Sequence, residues 1–201
     1  AAADKLTIRG QVSNATPGGS LPENMQAVLL GFSGMNPAFD ATTPVAADGS
    51  YAFEDVQFDP EFVYMVRVDA NGLSFNSDIL HGGDIIGGEA ELPVKVYDTT
   101  TDNSGLSVDR LHVFFDFSNP GMVQVVNLLI ISNPSDRIVI PAEEGQPVVQ
   151  YVLPESATDL QFEDGQLGGR YVETATGFGD LMSVSPGTGQ HQVLYAYQMP
   201  Y

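Results

Sequence analysis

Hydrophobic side chains recur along this chain at every second position in short runs, separated by clusters of Gly, Pro, Asn and Asp. Period two is the signature of a pleated strand, whose successive side chains point to opposite faces. No segment sustains the three-and-four spacing of an amphipathic helix, so the chain is expected to be all-β. In the first half, residues 5–12 read as a strand with Leu6, Ile8 and Val12 inward. A polar Pro/Gly loop at 14–23 follows, then strands at 25–32 and 39–45. Asp48-Gly49 tolerates positive φ, which predicts a tight reversal into 50–53 and a hairpin. Residues 62–69 place Phe62, Tyr64, Val66 and Val68 on one face and Val63, Met65 and Arg67 on the other, and Asn71-Gly72 predicts a second hairpin into 73–79. After a glycine-rich loop at 81–88, residues 91–97 read as the closing strand.

The second half begins at 106–117, where Val108, Leu111, Val113, Phe115 and Phe117 are the expected core residues and a change of alternation near Arg110 predicts a bulge. Residues 122–131 are almost continuously apolar, as for a central strand covered on both faces. Shorter strands are expected at 137–140, 148–153, 160–162, 170–174 and 181–184. The last strand, 190–199, sets Val193, Tyr195 and Tyr197 opposite Leu194, Ala196 and Gln198. About seven strands is one sandwich. The polar stretch 98–105 (DTTTDNSG) has no apolar anchor and reads as a linker. The expected architecture is two tandem β-sandwich domains, 1–98 and 106–201, joined by 99–105.

The first half resembles the carboxypeptidase regulatory-like family of transthyretin-like, Ig-like sandwiches found in extracellular bacterial proteins. The resemblance is carried by the opening LTIRGQV (6–12), the Pro/Gly loop at 16–19, DGSYAFEDV (48–56), and the strand 62–68 with its Asn71-Gly72 turn. It covers about residues 5–98 and implies that the DG-S-Y-x-F segment is a structural hairpin with core aromatics, without catalysis. No family is assigned to 99–201.

Seven Lys and Arg against 26 Asp and Glu give a net charge of −19. Counterion release needs clustered cations, so nucleic acid is excluded as a partner; most of the acids read as a solvating surface. There is no cysteine, hence no disulfide and no thiolate metal site. Ala1-Ala2-Ala3 matches either the small-residue end of a cleaved signal peptide or a cloning scar. No stretch reaches the roughly 20 apolar residues of a transmembrane helix.

His81, His112 and His191 are far apart in sequence, with no pair at metal-ligand spacing, and His112 and His191 are expected as outward or edge residues. Ser183-Val184-Ser185-Pro186-Gly187 lacks the flanking glycines of a nucleophile elbow. Glu54-Asp55, Glu143-Glu144 and Glu163-Asp164 are neighbours on opposite faces and poor acid/base partners. Asp98, Asp102, Asn103 and Asp164 are the candidates for calcium, without EF-hand spacing. Asn14-Ala15-Thr16 satisfies the N-glycosylation pattern. The sequence thus predicts no enzyme and no required cofactor, but a secreted structural protein of the cell surface or envelope. Its terminal strands would offer edges for strand addition to further copies or other surface proteins, giving a filament. The alternative is a carbohydrate-binding, ligand-binding or spacer module of a larger secreted protein, which the absence of Trp disfavours.

Overall fold

The computed structural model describes residues 5–201, Gln190 by its backbone alone; Ala1-Ala2-Ala3 lies outside them. The fold is all-β, and the chain divides into two compact units, one ending at Asp98 and the other running Thr99–Tyr201.

The first unit contains β1 (Lys5–Asn14), β2 (Gln26–Ser33), β3 (Asn36–Pro44), β4 (Ser50–Gln57), β5 (Phe62–Ala70), β6 (Leu73–Asn76), β7 (Leu80–His81), β8 (Glu89–Glu91) and β9 (Val94–Val96). One sheet has the order β4-β1-β8, with β9 also on β1; the other runs β3-β2-β5-β6, with β7 on β5. Alternation buries Leu6, Ile8, Val12, Tyr51 and Phe53 from the first sheet, and Leu29, Tyr64, Val66 and Val68 from the second. Tyr64 is fully buried, yet its hydroxyl donates to the Gln57 carbonyl at 3.0 Å and accepts from Asp59 N–H at 3.1 Å, so burial leaves no polar atom unmet. The Asn71-Gly72 hairpin forms as predicted. Both residues have positive φ, 53° and 78°, which the twist of a two-residue hairpin requires.

Two expectations in this unit are corrected. The Asp48-Gly49 reversal exists, with Gly49 at φ 89°, but it makes no hairpin: β3 pairs with β2, while β4 crosses to the other sheet and pairs with β1. Crossing brings Tyr51, Phe53 and Val56 into the core, whereas β3 is a largely exposed edge. The closing strand is broken in two at Leu92-Pro93, where proline has no N–H to give a ladder, and both pieces run parallel to β1.

The second unit contains β10 (Thr99–Thr100), β11 (Ser107–Asp116), β12 (Met122–Asn133), β13 (Ile138–Val139), β14 (Val149–Val152), β15 (Thr158–Phe162), β16 (Tyr171–Thr174), β17 (Gly177–Asp180) and β18 (Gly187–Pro200). Its sheets are β11-β12-β18-β15, β14-β17-β16 and the pair β10-β13. Val123, Val125, Leu129 and Ile131 of β12 and Val193, Tyr195 and Tyr197 of β18 share one core with Tyr151, Tyr171 and Phe178. Phe178 stacks on Tyr151 (4.7 Å between ring centres) and meets Tyr195 edge-on (4.8 Å). The stretch expected as a free linker is instead tied down: Thr99 and Thr100 pair with β13, and the Asn103 amide donates to the Val148 carbonyl at 2.9 Å. Residues 181–184 form no strand, only a bridge from Val184 to Val139. Strand β17 was not predicted, because its GFGD sequence carries only one large apolar residue.

Candidate functional site

The sequence marks Val108, Leu111, Val113, Phe115 and Phe117 as core. The structure turns most of them toward the core side and leaves all of them uncovered. In β11, Leu111, Val113 and Phe115 stand opposite Leu129, Asn127 and Val125 of β12, which are buried, so all six point to the inner face of the sheet. Yet every residue of β11 is exposed: Leu111 by 55%, Phe114 by 60% and Phe115 by 61%. Among the described residues the strand is the outermost of its sheet, paired on one side by β12 and on the other by none. The predicted bulge is present between Val108 and Arg110, with Ser132 Oγ donating to the Asp109 carboxylate beside it.

The other face of this sheet carries an apolar band in its middle, between polar rows. Phe114, Val126 and Ala196 lie in one cross-strand row, and His112, Leu128 and Leu194 in the next. Val126, Leu128 and Ile130 are only half-buried, which corrects the expectation that β12 is covered on both faces. At the end of the strand Phe117 stacks with Phe115 (6.4 Å) and meets Tyr201 edge-on (5.3 Å), all three exposed.

Edges in natural sheets are blunted by charge, proline, bulges or brevity. Strand β11 has its bulge and Asp109, Arg110 and Asp116 near the ends, but ten residues of length and a central LHVFF without Asp, Glu, Lys or Arg. Its outward backbone donors and acceptors, flanked by Leu, Val and Phe side chains, form a template for another strand.

The terminal strands do not offer such an edge. Strand β1 lies between β4 on one side and β8 and β9 on the other, and β18 lies between β12 and β15, so the predicted sites of strand addition are filled within the chain.

A second cluster is one that the sequence did not bring together. Asp180, at the end of β17, is fully buried and takes a forked contact from Arg170, Nε to Oδ1 at 3.1 Å and Nη2 to Oδ2 at 2.7 Å. Met182 N–H donates to its Oδ1 at 2.9 Å, and His191 Nε2 lies 2.9 Å from Oδ2. A carboxylate only accepts, so this nitrogen carries the hydrogen. Burial pushes the Asp180 carboxyl up, but the hydrogen bonds from His191, Arg170 and Met182, with the nearby guanidinium charge, outweigh it and hold the group below the ordinary carboxylate range. His191 is buried, not outward as expected; its place two residues before Val193, on the inward parity, was the available signal. Both carboxylate oxygens of Asp180 are committed within the protein, and the arrangement ties the end of β17 to β18 and to the residue before β16.

The remaining sequence candidates are scattered. Asp98 accepts from the Asn14 amide at 2.8 Å, Asp102 from Ser104 N–H at 3.0 Å, and Asp164 from Arg170 at 2.9 Å; Asn103 is spent on Val148. Among the described residues no three His, Asp or Glu side chains converge in a way that could hold a metal ion. Asn14 is not in an open loop: it ends β1, and its amide donates both to Asp98 and to the Ser20 carbonyl (2.9 Å), while Thr16 of the same triplet is buried. His81 and His112 are exposed. No helix among the described residues is long and apolar enough to cross a membrane.

Comparison with protein-family models, with curated proteins and with solved structures returned no match.

Proposed function

We propose that this chain is a non-catalytic structural protein of the cell exterior that joins its neighbours by strand addition at β11. The observation that carries this reading is the uncovered strand itself: ten residues, of which Val108, Leu111, Val113 and Phe115 are patterned as core, exposed on both faces and along one edge. A monomer gains nothing from Leu111, Val113, Phe114 and Phe115 held in water, where contiguous apolar patches mark interaction surfaces. An acidic surface that repels nucleic acid and anionic lipid is compatible with that role. The extracellular setting rests only on the sequence likeness of residues 5–98 to carboxypeptidase regulatory-like sandwiches, and the hairpin which that likeness implies at Asp48-Gly49 is not formed.

Val113→Lys tests this reading, since a charge in mid-strand blocks edge pairing while burying nothing in the free protein. Sedimentation velocity and negative-stain electron microscopy are expected to show associated wild-type particles and single Val113→Lys particles with an unchanged circular dichroism spectrum. Equal association of the two proteins contradicts the proposal. A second reading, a glycan-binding module, is favoured by the exposed rings of Phe115, Phe117 and Tyr201, and a monomeric wild type that binds immobilised glycans through them would replace the first.

A further inference from the structure

We infer that the strand completing the β11 edge is β11 of a second copy of this chain, antiparallel and related by a two-fold axis at Val113. The inference rests on the reading of β11 as a docking strand and adds to it the partner, the direction and the register.

Directly opposed residues of an antiparallel pair lie on the same face. Beyond the bulge, the inner face of β11 carries Leu111, Val113 and Phe115, and the outer face Arg110, His112, Phe114 and Asp116. Two copies keep both faces continuous only if odd positions meet odd and even meet even, which requires the axis to pass through a residue. Placing it at Val113 sets Leu111 against the second copy's Phe115, Val113 against itself, and His112 against Phe114. It also sets Arg110 against Asp116, and the symmetry repeats that pair. An axis at His112 would put Arg110 opposite Phe114, and one at Phe114 would put it opposite Ser118; neither gives the guanidinium a carboxylate directly across the interface.

Charge singles out the Val113 register for a further reason. Of the seven Lys and Arg, Arg110 is one of three, with Arg67 and Lys95, that make no ion pair among the described residues, and it alone of these three lies on the open edge strand. Asp116 is held at one oxygen by Ser118 N–H (2.9 Å). Hydrogen bonds from the Ser118 side chain and backbone lower its pKa, so it stays ionised well into acid. The four inner sheet positions nearest the axis, Leu111 and Phe115 from each copy, flank the two valines and extend the apolar row of β12 across the junction. The contact is isologous and closes on itself, so β11 alone makes a pair and not a fibre.

Reciprocal charge exchange in the full chain tests the register, read by sedimentation equilibrium with circular dichroism as the control for folding. Like charges directly opposed across a ladder oppose pairing, and each single change creates two such contacts per dimer. Arg110→Asp and Asp116→Arg are each expected to weaken the dimer by about tenfold or more, and the double variant to recover to within about threefold of wild type. Mixing the two single variants in equal amounts is expected to restore a heterodimer, because both cross-strand pairs then regain opposite charges. A dimer that Val113→Lys abolishes but the charge variants leave unchanged overturns the two-fold register while leaving strand addition standing. Particles that grow without limit at high concentration overturn the closed pair. A wild type that stays monomeric throughout overturns both this inference and the docking role of β11.

Discussion

Asp180→Ala is expected to destabilise the second unit by about 3–5 kcal/mol, the usual loss when one partner of a buried ionic cluster is removed and the others stay behind uncompensated. Arg170, 13% exposed at its side chain, would keep as its only carboxylate the solvent-facing Asp164, with the Gln192 carbonyl beside it, and buried His191 would lose its acceptor. Denaturant unfolding measures the effect as a fall in midpoint at unchanged slope. The same group predicts a pH dependence of known sign. Its carboxyl is held below the ordinary value of 3.8, so its contribution is fully present above that value and is lost as pH falls through the lower folded pKa. Asp180→Ala should therefore differ most from wild type at neutral pH and converge on it in strong acid. A variant with wild-type stability at pH 7 would mean that the cluster contributes nothing.

The second large effect is a contrast between two phenylalanines of the same unit. Phe178→Ala removes a ring with no exposed surface, packed against Tyr151, Phe162, Tyr171 and Tyr195, and is expected to cost about 3–5 kcal/mol. Phe115→Ala removes the same atoms from a ring 61% exposed, and the isolated monomer should change by no more than about 0.5 kcal/mol. Self-association should respond in the reverse order, falling with Phe115→Ala at concentrations where folded Phe178→Ala still associates. Unfolding in dilute protein gives the first comparison and light scattering the second. A stability loss of several kcal/mol for Phe115→Ala in the monomer would show that β11 is already covered within its own chain.

That contrast also marks what the sequence could convey. Alternation assigned the inner-face parity of Leu111, Val113 and Phe115 correctly, because which way a side chain points is a local consequence of the pleat. Whether it is buried depends on what lies across from it, and no local pattern contains that. The Asn71-Gly72 hairpin was legible because its turn leaves too few residues to do anything but pair the flanking strands. The chemically similar Asp48-Gly49 turn misled, since a turn fixes a reversal but not whether the returning strand stays in its sheet. The parallel pairing of β8 and β9 with β1 joins residues about eighty positions apart and left no sign in either segment. The buried cluster was half visible: His191 shares the parity of Val193 and Tyr195, but its partners come from other strands and from the loop before β16. The residues considered for calcium and glycosylation are engaged within the chain. Short acidic and Asn-containing stretches around turns mostly satisfy their own backbone and near neighbours, as Asp102 does with Ser104 and Asn14 with Ser20 and Asp98.

Hydrogen–deuterium exchange of the amides of β11, followed across protein concentration, tests most directly whether this edge accepts another strand. Amides bonded to β12 should be protected throughout, while those facing outward should exchange freely in dilute protein and become protected as concentration rises, in step with the particle mass. Outward amides that exchange at one rate at every concentration, in a protein whose mass never exceeds one chain, would contradict the account.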